Sequence, residues 1–72
     1  MAEFPEADIH IEKGHKLWQV VWRRPGYPPR ILMAHEALHE AQRAEYRGES
    51  KLAAKLRKAA AEARNKNDRD LG

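Results

Sequence analysis

The chain contains no cysteine, so neither a disulfide framework nor a thiolate metal site supports it. Its aromatic residues are two Trp, two Tyr and one Phe, too few to build a core by themselves. No apolar run approaches the ~20 residues of a membrane-spanning helix. The acidic opening MAEFPEAD lacks the apolar segment of a secretory signal. There is no Gly-rich phosphate loop and no internal repeat. These absences argue against a disulfide-stapled scaffold, a helical membrane protein and a P-loop nucleotidase. The expectation is a soluble, cytoplasmic, monomeric protein without a bound cofactor, and a complete small reading frame.

Seventy-two residues allow one small domain, whose core is marginal because its surface-to-volume ratio is poor. Most of the large apolar side chains lie between residues 9 and 38, which places the expected core there. Ile9-His10-Ile11 alternates as a half-buried strand does. Lys13-Gly14-His15-Lys16 reads as a turn. Leu17 to Trp22 is a second strand rich in aromatic and β-branched residues. In Arg24-Pro25-Gly26-Tyr27, Pro and Gly take the second and third positions of a type II turn. Arg30 to Met33 is a third strand, although Pro29 is also suited to the first position of a helix.

From Ala34 the period changes to 3.6. Ala34, Ala37, Leu38, Ala41 and Ala44 form one apolar stripe, and Gly48 is a C-terminal stop. Ser50 is suited to cap a second helix running from Lys51 to about Lys66. Its stripe of Leu52, Leu56, Ala59 and Ala63 is thin, so this helix is expected to form readily but bury little. The expected architecture is α+β in the order β-β-β-α-α: a three-stranded antiparallel meander packed on the first helix, then a basic Ala-rich helix. Residues 1–8 are expected to be a flexible lead, 9–66 the domain and 67–72 a disordered tail. Leu38 is expected to matter most to folding.

Alternation places Trp18, Val20 and Trp22 on one sheet face, and Leu17, Gln19 and Val21 on the other. Both faces are therefore apolar. The first helix is expected to cover one of them; the second helix, the Phe4 segment or a partner covers the other.

Residues 35–39 read HEALH, a literal HExxH. In zinc hydrolases of that motif two histidines one turn apart bind the metal and the intervening Glu activates water. His35 and His39 have the required spacing. A third protein ligand is also needed, and Glu49, Glu62, His10 and His15 are the candidates, none at a spacing that extends the motif. His35 and His39 lie at the flank of the apolar stripe, beside Gln42 and Tyr46. They are read as boundary residues, with a zinc hydrolase kept as an alternative.

Charge is unevenly distributed. Residues 35–49 have a net charge of −2 and residues 51–66 a net charge of +5. Two oppositely charged helices assist each other's pairing, and the basic one also offers a docking surface. Arg23, Arg24 and Arg30 flank Tyr27, a combination that suits phosphate contact, base stacking or an acidic protein surface. Lys13 and Lys16 fall at the opposite end of the meander, so the cations do not form one stripe, which lowers the case for DNA.

Two resemblances accompany these residues. Trp18-x-Val20, the turn with Gly26, Arg30 and Glu36-Ala37 opening an Ala-rich helix resemble the arm-site DNA-binding domain of tyrosine-recombinase integrases. That resemblance implies a sheet that enters the major groove, yet the candidate faces here are apolar. ILMAHEALHEAQRAEY resembles the strand-into-helix segment of small phage-encoded proteins that bind bacterial RNA polymerase, over about half of the chain. It implies a non-enzymatic regulator of the transcription machinery acting by surface occupancy. The expected partner-binding residues are Arg23, Arg24, Tyr27 and Arg30, then Lys51, Lys55 and Lys58. Direct DNA binding by the sheet or the basic helix is the runner-up.

Overall fold

The computed structural model describes residues 8–71, with the side chain of residue 71 left aside. Three strands, β1 (Asp8–Lys13), β2 (Trp18–Arg23) and β3 (Arg30–Leu32), precede two helices, α1 (Ala34–Tyr46) and α2 (Ser50–Leu71). The sheet is an antiparallel meander in the order β1-β2-β3, so the expected α+β fold and its element order are observed. Phe4 and most of the expected N-terminal lead lie outside the described residues.

The turns follow from their sequences. Tyr27 N–H donates to the Arg24 carbonyl at 3.2 Å, and Gly26 has φ +80°. This is the type II geometry that a Pro-Gly pair favours. Gly48, at φ +86°, ends α1. Glu49 N–H donates to the Ala44 carbonyl at 2.8 Å and Gly48 N–H to that of Glu45 at 3.0 Å. Together these are the paired bonds of a Schellman motif, which needs a residue in the left-handed region and therefore favours glycine. Glu49 also supplies the first carbonyl of α2, accepting from Ala53 at 3.0 Å. Ser50 accordingly lies inside the helix rather than at its cap.

Register fixes the sheet faces. Ile9 pairs with Trp22, Ile11 with Val20, Val20 with Leu32 and Trp22 with Arg30. These residues share the inner face with Trp18. The other face carries His10, Gln19, Val21, Arg23 and Ile31, with Val21 buried and Ile31 60% exposed.

Which helix covers the inner face corrects the sequence expectation. α2 lies across β2 and β1 and packs along α1, whereas α1 only borders β2 and β3. Leu52, Ala53, Leu56, Ala59, Ala60 and Ala63 are all buried in one cluster with Val20, Trp22 and Leu32. The thin stripe of α2 is thus the centre of the core. Its alanines permit close approach of both α1 and the sheet, and Leu56 is completely buried. α1 meets α2 through Ala37, Ala41 and Ala44, each at zero exposure. This alanine seam rotates Leu38 to the rim of the interface, where it is 45% exposed, so Leu38 is not the keystone expected.

α2 also runs past Lys66, and residues 67–70 are helical rather than a disordered tail. The cause is tertiary. Trp18 N–H donates to Asn67 Oδ1 at 2.6 Å, while Asn67 Nδ2 donates to the Trp18 carbonyl at 3.3 Å. The Trp18 indole donates to Asp70 Oδ2 at 2.9 Å, and Lys13 pairs with the same oxygen at 3.0 Å. Lys66 sits 4.6 Å from the Trp18 ring centre. These contacts fasten the end of α2 to the start of β2. They also hold the Asp70 carboxyl below its ordinary value, chiefly through the Trp18 hydrogen bond and then through Lys13.

Candidate functional site

HEALH has a structural use at the start of α1. Met33 N–H donates to Glu36 Oε1 at 2.8 Å, so Glu36 reaches back to a main-chain donor left unpaired by the helix start, one half of a capping box. His35 and His39 are exposed. The proposed third ligands are elsewhere. His10 is bonded to Asp8 and Glu12 on the outer sheet face, and Glu49 pairs with Arg47. Among the described residues no group of three or more His, Asp or Glu side chains is placed to hold a metal ion. His39 instead lines a shallow depression of about 280 Å³ with Gln42, Arg43 and Tyr46, the last 96% exposed.

The strongest concentration of function-bearing side chains lies where the β2–β3 turn meets the α1–α2 junction. A cleft of about 430 Å³ is floored by Trp22 and Leu52 and lined by Arg24, Arg30, Arg43 and Arg47 together with Glu40 and Glu49. Four cations against two anions leave the lining net positive. Three parts of the chain supply the arginines. Arg24 comes from the turn after β2, Arg30 from β3, and Arg43 and Arg47 from the last turns of α1 and its cap. Placement at the carboxyl end of α1 also favours these two cations through the helix dipole.

The cleft is partly self-neutralised. Arg30 reaches Glu40 at 3.5 Å, Arg43 reaches the same carboxylate at 3.9 Å, and Arg47 meets Glu49 at 3.3 Å. Arg24 has no carboxylate partner among the described residues. Its guanidinium lies 5.0 Å from the Trp22 ring centre and 4.6 Å from that of Tyr27. Arg30 lies 5.1 Å from the same Trp22 ring. Trp22 therefore holds two guanidinium groups by cation–π attraction, which fixes long side chains that would otherwise be mobile. The Trp22 residue is 3% exposed, and its indole Nε1–H is buried without a hydrogen-bond partner among the described residues.

Of the residues expected from sequence, the structure brings Arg24, Tyr27 and Arg30 together around this cleft. Arg23 alternates to the outer sheet face, opposite Trp22. Lys51, Lys55 and Lys58 are exposed on α2 and do not line the cleft. Trp22, Glu40, Arg43 and Arg47 were not foreseen as site residues, and Glu49 was foreseen only as a candidate zinc ligand. Glu40, Arg43 and Arg47 do share one helical flank by their three- and four-residue spacing, but only the close approach of the β2–β3 turn makes that flank one wall of a cleft. No protein-family model, curated protein or solved structure matches this chain.

Among the described residues no helix is long and apolar enough to cross a membrane.

Proposed function

We propose that this chain is a small, non-enzymatic regulatory protein that binds an acidic surface of a protein partner through the arginine cleft. The observation that supports this most is the convergence of four arginines from three parts of the chain on one concave site, with exposed Tyr27 beside it. Arginine and aromatic side chains held rigid in advance are the residue types that dominate protein interfaces, because little entropy is lost when they engage. The two glutamates of the lining disfavour a continuous phosphate backbone, and the lysines that would extend a basic track lie elsewhere. The likeness of ILMAHEALHEAQRAEY to phage regulators makes bacterial RNA polymerase the first partner to test.

The test is equilibrium binding of the purified chain to purified bacterial RNA polymerase, with the Arg24→Ala/Arg30→Ala double variant alongside. Binding by the parent chain and loss in a folded double variant is the expected result. Unaltered binding by that variant refutes the role of the cleft, and no binding by the parent chain refutes the partner. The exposed lysines of α2 favour a second reading, direct DNA binding. A gel shift at low salt decides it, since such binding weakens steeply as salt rises.

A further inference from the structure

We infer that α1 pairs antiparallel with α1 of a second copy of this chain, through the exposed seam of His35, His39, Gln42 and Tyr46. This goes beyond the reading of the arginine cleft and does not rest on it. It departs from the monomer expected from sequence.

The seam has coiled-coil spacing. Its four residues follow one another at intervals of four, three and four, as alternating d and a positions of a heptad do. All four are exposed, Tyr46 at 96%. The alanines that bury α1, Ala37, Ala41 and Ala44, lie on the opposite side of the helix. The depression of about 280 Å³ is lined by His39, Gln42, Arg43 and Tyr46. These are positions i, i+3, i+4 and i+7 of one helix, the four-residue hole that receives a knob from a facing helix.

Charge and symmetry select a second copy as the occupant. The order of intervals, four-three-four, reads the same in both directions. An antiparallel copy therefore sets His35 opposite Tyr46, and His39 opposite Gln42 over the hole, each contact occurring twice. Beside the seam, Glu36 and Arg43 occupy successive e positions. In an antiparallel pair the e positions face each other, so Glu36 of each copy meets Arg43 of the other and two ion pairs form. Arg43 is available for this, since its side chain is 72% exposed and only 3.9 Å from Glu40. Glu36 gives Oε1 to the Met33 N–H and still carries its charge. On the other flank Leu38 meets Glu45, which Arg57 already neutralises. A parallel pair would instead set Leu38 beside Arg43 and form neither ion pair. The polar seam and short helices make a weak dimer, with a dissociation constant between about 10 µM and 1 mM.

The experiment is sedimentation equilibrium of the full chain up to about 1 mM, with circular dichroism melts of each variant. The parent chain is expected to dimerise. Tyr46→Ala, at a residue with almost nothing to lose in folding, is expected to weaken the dimer about tenfold, because the contact occurs twice. Lys58→Gln, on the outer side of α2, leaves it unchanged. Glu36→Lys and Arg43→Glu each set like charges opposite one another twice, and each alone is expected to dimerise at least about tenfold less. Mixed in equal amounts, the two variants restore both ion pairs and are expected to associate within about threefold of the parent chain. A parent chain that stays monomeric overturns the inference and leaves the seam to a foreign helix. Folded charge variants that dimerise like the parent, or a mixture that stays monomeric, overturn the antiparallel pairing. Dimerisation unaffected by Tyr46→Ala places the contact elsewhere and overturns it too. No polymerase enters this experiment, so its outcome is independent of the reading of the cleft.

Discussion

Burial and hydrogen bonding give individual residues weights different from those suggested by their types. Leu56 is fully buried between α1 and the sheet, so Leu56→Ala is expected to cost about 2–5 kcal/mol. Leu38, at the solvent rim, is expected to cost about 1 kcal/mol on the same change. Chemical denaturation of the two variants checks the order, and a larger loss at Leu38 would contradict the alanine seam of α1. Glu36 is weighted by its bond to Met33 N–H rather than by the HExxH pattern. Glu36→Ala is therefore expected to lower stability by about 0.5–1 kcal/mol, with the same loss in the presence of a chelator. A chelator-dependent difference in thermal melts would restore the metal reading.

The consequences for whole elements arise at the two ends of the sheet. Asn67 makes two hydrogen bonds to the main chain of Trp18 and so couples the end of α2 to β2. Asn67→Ala is expected to cost about 1–3 kcal/mol. In hydrogen exchange it should release the last turns of α2 first, while amides of residues 52–63 stay protected to the level of β2. On β1, His10 meets Glu12 at 2.6 Å and Asp8 at 3.1 Å, and its pKa is raised above 6.5, chiefly through the Glu12 hydrogen bond. The folded chain therefore holds this proton more tightly than the unfolded chain. The resulting stabilisation is complete below pH 6.5 and is lost as pH rises through the raised value. Thermal melts should show His10→Ala losing most relative to the parent chain below pH 6.5, and little at alkaline pH. Asp70 has the opposite sign. Lowered from 3.8, its contribution is present above that value and disappears as pH falls through the lowered one.

At the scale of the whole molecule, the sheet and α1 depend on α2. α2 covers the inner sheet face and one side of α1, and it supplies six of the buried residues of the core cluster. A three-stranded meander needs a covered apolar face for independent stability, and 72 residues provide no second core. A chain ending at Glu49 is therefore expected to lack cooperative unfolding in circular dichroism, even though every strand is intact. A folded truncated chain would contradict the central position of α2. The cleft depends on the same assembly, because its walls come from the β2–β3 turn and the α1–α2 junction. Mutations that loosen α2 should weaken any binding there without touching an arginine.

The features already determined by the sequence are those set by neighbours a few residues apart. Alternating apolar residues specify the strands, Pro25-Gly26 and Gly48 specify the turns through their backbone preferences, and the 3.6-residue period specifies two helices. Arg24, Tyr27 and Arg30 were legible as a group because one short connection carries all three. Periodicity states that a face is buried without naming what buries it. It therefore assigned the sheet to the first helix, where α2 in fact lies, and it overvalued Leu38 against alanines whose small size lets helices approach closely. Only the tertiary structure decided that α2 is the centre of the core, that Asn67 and Asp70 belong to it, and that Arg43 and Arg47 meet Arg24 and Arg30 over Trp22. Those outcomes rest on contacts between residues distant in the chain, where complementary shape and charge, rather than local backbone preference, select the neighbour.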